Sequence, residues 1–262
     1  MELFEKGRVA LVTGGARGIG YACARLLAKE GVALALVDIN GDSVKESARK
    51  LSEETGAIAV GVAADISSQP DVARMVKEVG DKFGKIDLFL NSAAILADKT
   101  FLESTPEEWD RMIKVCLQGP MLCLHAILPG MIERRYGRVV CMASDSARIG
   151  QARLSYYAAA KAGVIAMCKS VAQEVGTSGV TLNVVSPGAT NTELRQEREA
   201  SLRKSMGEEK YARRVKNVLR MYPTGRIGEP EDSAAMITFL LSDKAGWVTG
   251  QVVSVNGGYV ML

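Results

Sequence analysis

Thr13-Gly14-Gly15-Ala16-Arg17-Gly18-Ile19-Gly20 is the stretch from which the fold is read. It follows an apolar run of strand composition, Arg8–Thr13, and opens a segment of helical period, Gly18–Glu30. Its glycines let the backbone approach a diphosphate, which the amino end of the following helix attracts. A glycine turn alone is a weak signal. Here a second strand, Ala33–Asp38, ends on an acid 18 residues after Gly20, a spacing that suits a carboxylate bonded to ribose hydroxyls. Strand, turn, helix, strand and terminal acid, in that order, predict a dinucleotide site.

Working outward, β-branched apolar runs recur at Ala57–Asp65, Asp87–Asn91, Gly137–Ser144, Thr181–Ser186 and Val252–Val255. Most lack inside/outside alternation, which predicts a sheet covered on both faces. Segments of helical period lie between them, at Asp42–Glu54, Pro70–Phe83, Pro106–Arg135 and Tyr156–Val175. The alternation predicts right-handed crossovers and an α/β fold with a doubly wound parallel sheet, ligands binding at the carboxyl ends of the strands. Residues 1–262 read as one dinucleotide-binding catalytic domain. Residues 190–222 stand apart as two charged, helix-like pieces ahead of a helix opened by Pro230, Glu231 and Asp232. An insertion on the ligand side reads as a substrate lid.

The composition narrows the function classes. With 47% hydrophobic and 24% charged residues, the chain has the makeup of a globular protein that folds throughout. A net charge of +3 and the lack of a recognised binding motif argue against a nucleic-acid partner. No run reaches the roughly 18 uninterrupted apolar residues of a membrane span, and residues 1–8 carry no apolar targeting segment, so the expected location is cytoplasmic. The cysteines Cys23, Cys116, Cys123, Cys141 and Cys168 have no paired ligand spacing, which leaves neither disulfides nor a metal to expect. The only histidine, His125, sits in the run MLCLHAIL and reads as structural, which disfavours a histidine base.

Tyr157-Ala158-Ala159-Ala160-Lys161 carries the chemistry. Residues four apart on a helix share a face, so Lys161 is placed beside Tyr157. Ser144, ending the preceding strand, brings a hydroxyl to the same sheet edge. The bland alternative is an amphipathic helix with a solvated lysine, and Tyr156 shows how readily tyrosines arise there.

With TGGARGIG at 13–20, Asp38, Asp65, Asn91, Ser144, Tyr157/Lys161 and Pro187-Gly188, the chain resembles the short-chain dehydrogenase/reductase family over nearly its whole length. The resemblance implies a seven-stranded Rossmann-type sheet. It also implies that Ser144 holds the substrate oxygen, Tyr157 is the acid/base and Lys161 binds the nicotinamide ribose. Gly14, Arg17, Gly18, Ile19 and Gly20 would form the diphosphate turn. Asp65 and Ile66 would flank adenine, Asn91 would border the ribose, and Gly188, Thr190 and Thr192 would line the nicotinamide side. Tetramers are common in the family, built partly from helices matching Pro106–Arg135 and Tyr156–Val175, so a homo-oligomer, tetramer or dimer, is expected.

Two departures bear on activity. Asn91-Ser92-Ala93-Ala94 replaces the family's Asn-Asn-Ala-Gly, and Cys116 stands where its catalytic tetrad has asparagine. In the family the backbone carbonyl at that position holds a water near the lysine. Pro120, four residues on, lacks the N–H that would engage the Cys116 carbonyl and bends the helix, so the water site is expected to survive.

The expected activity is hydride transfer between NAD(H) and a secondary alcohol or ketone. A phenol of pKa about 10 must move toward neutrality, and Lys161 plus the cofactor's charge favour phenolate. Asp38, followed by Ile39, favours NAD over NADP, whereas Arg17 is a cation that can meet a 2′-phosphate. The lid segment Glu193–Arg220 holds nine Lys/Arg against five Asp/Glu. Arg195, Arg198, Arg203, Lys204, Arg213 and Arg214, with Arg148 or Arg153, are candidates to bind an anionic hydroxyacid or hydroxyacyl-CoA. The segments LHAILPGMIERRYGRVV and ASDSARIG are similar to alicyclic hydroxyacyl-CoA dehydrogenases and 3-oxoacyl carrier-protein reductases. The rival readings are a neutral steroid-like or alicyclic alcohol, and a degenerate binding subunit without activity.

Overall fold

The computed structural model describes residues 2–261, and its strands fall on the apolar runs. In chain order they are β1 (Val9–Thr13), β2 (Ala33–Asp38), β3 (Ala59–Ala63), β4 (Leu88–Asn91), β5 (Gly137–Met142), β6 (Val180–Pro187) and β7 (Val252–Val255). They form one parallel sheet in the order β3-β2-β1-β4-β5-β6-β7. The order reverses between β1 and β4, which opens a crevice at the carboxyl ends of those strands. There the register sets Thr13 beside both Val37 and Asn91.

Helices cover both faces, which is why the central strands are buried at every position. On one face lie α1 (Gly18–Lys29), α2 (Gly41–Thr55) and α10 (Pro230–Leu241), whose Leu27, Leu51 and Ile237 pack on Val12, Leu36 and Val140. On the other lie α3 (Gln69–Phe83), α5 (Gly119–Glu133) and α7 (Ser155–Val175), whose Met75, Ile127 and Cys168 pack on Leu11, Phe89 and Val139. Short helices α4 (Pro106–Ile113) and α6 (Ser146–Ile149) precede α5 and α7, while α8 (Glu193–Met206) and α9 (Glu208–Arg220) form the insertion after β6. This is a single Rossmann-type α/β domain.

The long helix expected from Pro106 to Arg135 is interrupted. Between α4 and α5 the chain makes a π-turn at Lys114–Gln118, in which Gly119 N–H reaches back five residues to the Lys114 carbonyl. Pro120, with no N–H to give, lies just beyond, and π-turns are a usual way to absorb such a gap. The stretch Pro106–Glu133 is long and apolar enough to cross a membrane by length and composition. In the fold, its Cys123, Leu124, Ile127 and Met131 are core residues. His125, read as structural rather than catalytic, is exposed, because Met121, His125 and Ile132 form the outward face of α5.

Candidate active site

Every catalytic or cofactor-binding candidate from the sequence lies at or just beyond the carboxyl ends of β1 to β6, apart from Tyr157 and Lys161 on α7 and Cys116 in the π-turn; the candidate substrate cations lie on α6, α8 and α9 and, for Arg153, just before α7. The glycine turn leaves β1 with Gly14 at φ +64° and reaches α1 with Gly18 at φ +58°, conformations that glycine adopts without strain. A Cβ on Gly14 would lie 2.7 Å from the Ala93 amide nitrogen, and one on Gly20 would collide with the Gly14 carbonyl. The bare backbone, the open amino end of α1 and the buried Asn91 Nδ2, which has no hydrogen-bond partner, fit a dinucleotide. Asn91 is fixed on its other side by Thr13 Oγ1, which donates to its Oδ1 at 3.1 Å.

Asp38, half-buried at the carboxyl end of β2, accepts from Asn40 N–H at 3.2 Å. Asp65 is taken up in its own loop: the Ser67 amide and hydroxyl both donate to Oδ1, at 2.9 and 2.7 Å. Ile66 is buried, and a Cβ on Gly119 would lie 2.9 Å from its side chain, so the β3 end abuts the start of α5. Across the crevice, Gly188 follows β6, Thr190 is buried with its hydroxyl donating to the Gly188 carbonyl, and Thr192 caps α8 by accepting from Arg195 N–H.

Ser144, Tyr157 and Lys161 are brought together. Ser144 Oγ lies 2.9 Å from Ser146 Oγ, which holds its rotamer. Burial pushes the Tyr157 hydroxyl above its ordinary range, the Cys116 thiol adds to the rise, and the neighbouring Ser144 hydroxyl opposes it. Lys161 is 1% exposed, and burial pulls its pKa down against the opposing fields of Cys116, Cys141 and Cys168. Its ammonium sits 6.0 Å from the Tyr157 ring centre and donates to the Met142 carbonyl at 2.8 Å. Cys116 is buried and its thiol donates to the Ile95 carbonyl at 3.5 Å, so here it ties the π-turn to the segment after β4. Tyr156 points into the same small cluster as Met112, Cys116 and Ala160, and its hydroxyl has no partner.

One residue escaped the sequence reading. Asp145, directly after Ser144, is 2% exposed and accepts from Ser186 Oγ (2.9 Å), Ser254 Oγ (3.3 Å) and Asn256 Nδ2 (2.6 Å). It thereby ties the serine loop to the ends of β6 and β7. The only hint in the sequence is the placing of polar Ser186, Ser254 and Asn256 at or near the ends of two mainly apolar strands.

The basic residues of the insertion are mostly committed. Arg198 Nε donates to Asp98 at 2.6 Å and Arg153 pairs with the same carboxylate. Arg203 holds Glu208, Arg195 and Arg214 flank the buried Glu199, and Arg148 donates to Ser254 Oγ. Among the described residues, Lys204 and Arg213 are the two of the eight candidate cations with neither an ion pair nor a side-chain hydrogen bond. Two clefts, of about 580 and 210 Å³, run between α8 and α9 rather than over Tyr157, and Arg195 lines the smaller one.

A family model described as enoyl-(acyl carrier protein) reductase matches residues 14–260. The chain is 35% identical over 258 residues to the 3-oxoacyl-(acyl-carrier-protein) reductase FabG of Vibrio cholerae, covering 98% of this chain and 99% of that one. It is 36% identical over 253 residues to BbsD of Thauera aromatica, a subunit of a hydroxy(phenyl)methylsuccinyl-CoA dehydrogenase, covering 97% and 96%. Among solved structures, levodione reductase superposes with a TM-score of 0.90 at 35% identity, over 97% of each chain. L-sorbose reductase from Gluconobacter frateurii, solved with NADPH and L-sorbose, superposes with a TM-score of 0.94 at 28% identity over the full length of both. Matches that run almost end to end, to dehydrogenases and reductases alike, identify this chain as a member of the short-chain dehydrogenase/reductase family of oxidoreductases.

Proposed function

We propose that this chain interconverts a secondary alcohol and a ketone with NAD(H), using Tyr157 as the proton-transfer group. The observation that carries the reading is the convergence of Ser144, Tyr157 and Lys161 beside the glycine turn, at the edge where a doubly wound sheet binds its ligands. A nicotinamide bound there supplies the hydride acceptor or donor. The backbone at Gly14, Gly18, Ile19 and Gly20 holds the diphosphate, Asp38 the adenosine ribose, and Asp65 and Ile66 the adenine. Asn91, Lys161, Gly188, Thr190 and Thr192 hold the nicotinamide half.

In oxidation Tyr157 Oη takes the alcohol proton, and in reduction it returns it, while Ser144 Oγ holds the substrate oxygen. Lys161 lowers the cost of the phenolate. Such acid/base help is typically worth about 10²–10⁴-fold. The insertion of residues 190–222 acts as a lid over the substrate, and the oligomer forms partly through the helices at Pro106–Glu133 and α7.

For substrate, we infer a hydroxyacyl or oxoacyl compound with an anionic tail, which the acyl-carrier and CoA names of two relatives support. A neutral alcohol is the second reading, favoured by one observation, the pairing of most lid arginines with carboxylates. Following reduced-nicotinamide absorbance with hydroxyacyl thioesters and neutral alcohols tests both. No turnover with any member of either panel would support the degenerate binding subunit instead.

A further inference from the structure

Arg17 and Glu197 lie 180 positions apart in the chain and form an ion pair that joins the glycine turn to α8. Arg17 is the only cation in the turn, and it immediately precedes α1. Glu193, one turn before Glu197, and Asp38, at the end of β2, add their fields to it. All three carboxylates hold the guanidinium in its charged form, the Glu197 bond most strongly. The approach is close along the backbone as well: a Cβ on Gly18 would lie 3.4 Å from Thr192 Cγ2 and 3.6 Å from Glu193 Oε2.

This geometry bears on the opposed signals of Asp38 and Arg17. A carboxylate and a phosphate compete for the same face of a guanidinium fork. An Arg17 already paired with Glu197, beside two further carboxylates, offers a 2′-phosphate little net charge. We propose that Glu197 is a cofactor-specificity residue: by holding Arg17 it withholds the cation that a 2′-phosphate requires, so that the lid reinforces the discrimination made by Asp38. The inference deepens the NAD(H) reading above and rests on it. It also makes a 2′-phosphorylated cofactor loosen the contact between lid and glycine turn.

The test is a binding cycle free of turnover. Calorimetric Kd values for adenosine 2′,5′-bisphosphate and for 5′-AMP are compared in the wild type, Glu197→Gln, Arg17→Gln and the double variant. Glu197 is 61% exposed on its side chain, so its replacement leaves the fold intact. Glu197→Gln is expected to tighten the bisphosphate about two- to fivefold relative to AMP, the size of one exposed ion pair. The gain is expected to vanish in the Arg17→Gln background and to shrink with added salt. An unchanged ratio in Glu197→Gln, or a gain that survives removal of Arg17, overturns the proposal. A wild type that binds the bisphosphate more tightly than AMP overturns instead the NAD(H) reading, and the coupling between residues 17 and 197 is measured independently of that result.

Discussion

The ammonium of Lys161 donates to the Met142 carbonyl at 2.8 Å inside a pocket where the lysine side chain is almost wholly removed from water. A buried cation is a cost to folding, and here the lysine pKa is lowered by that burial. Below the lowered value both folded and unfolded chains carry the proton, and the folded state bears the full penalty. The penalty disappears as pH rises past the unfolded lysine pKa of about 10.4. Lys161→Met is therefore expected to abolish turnover yet raise Tm at pH 7 by about 2–4 °C, the shift that ~1 kcal/mol produces in a domain of this size. The gap between variant and wild type should narrow as pH rises. A less stable variant across the whole range, measured by calorimetry, would contradict this account.

Tyr157→Phe removes the proton route while leaving the cofactor groove untouched. Turnover is expected to fall by at least about 10²-fold, with NADH affinity within a factor of about two of the wild type. Because the phenolate is the base in alcohol oxidation, wild-type kcat/KM for oxidation should rise with pH, and the variant's residual rate should lose that limb. Tyr156→Phe, whose hydroxyl has no partner, is the control. Full activity in the Tyr157 variant, or loss confined to the Tyr156 one, would reassign the acid/base.

The fold was legible because burial on both faces leaves a direct mark: strands such as Leu88–Asn91 are apolar without alternation, and helical period lies between successive strands. The Ser144–Tyr157–Lys161 cluster was legible because two of its members share a helix face and the third closes the apolar run before it, two residues past the end of β5. Partnerships between distant segments left no such mark. Asp145 finds its donors 41, 109 and 111 positions away, and Arg17 finds Glu197 at 180. Counting charges in the lid showed an excess of cations but could not show that Asp98, before α4, takes up one of them, Arg198, together with Arg153 from outside the lid. The exposure of His125 shows the same limit: an apolar run surrounds it in sequence, whereas the helix turns it outward.

Asp38 predicts cofactor choice. Its carboxylate accepts ribose hydroxyls and repels a 2′-phosphate, so kcat/KM with NAD should exceed that with NADP, and Asp38→Ser should narrow the ratio by roughly tenfold or more, the scale of a lost charge–charge repulsion plus a charged hydrogen bond. Wild-type preference for NADP would show that the glycine-turn cation outweighs the strand-end acid.

Cys116 and Pro120 separate a side-chain role from a backbone one. Cys116→Ser keeps a donor for the Ile95 carbonyl and is expected to retain substantial activity. Pro120→Ala restores the N–H that a regular helix needs at the site of the π-turn, and is expected to be the more harmful change. A crystal structure should show a water on the Cys116 carbonyl near Lys161 in the wild type. The account fails if that water is missing, or if the serine variant is the inactive one.

The lid carries the prediction about substrate. Its charge excess acts in two ways: as individual contacts, which ion pairing has mostly used up, and as a summed field, which pairing within the lid leaves in place. Arg198 and Arg153 hold Asp98 between them, so Arg198→Ala should loosen the lid and lower activity on charged and neutral substrates alike. Lys204 and Arg213, without carboxylate partners among the described residues, remain available to an anionic tail. For an acyl-CoA or free-acid substrate, KM should rise with ionic strength, as screening shortens the reach of these charges to about 10 Å at 0.1 M. The double variant Lys204→Ala, Arg213→Ala should raise KM about two- to fivefold with kcat nearly unchanged, and should flatten the salt dependence. A neutral ester or amide analogue should show neither effect. Equal kcat/KM for the charged and neutral analogues at every salt concentration would leave the lid cations as solvated surface and assign the site to a neutral alcohol or ketone.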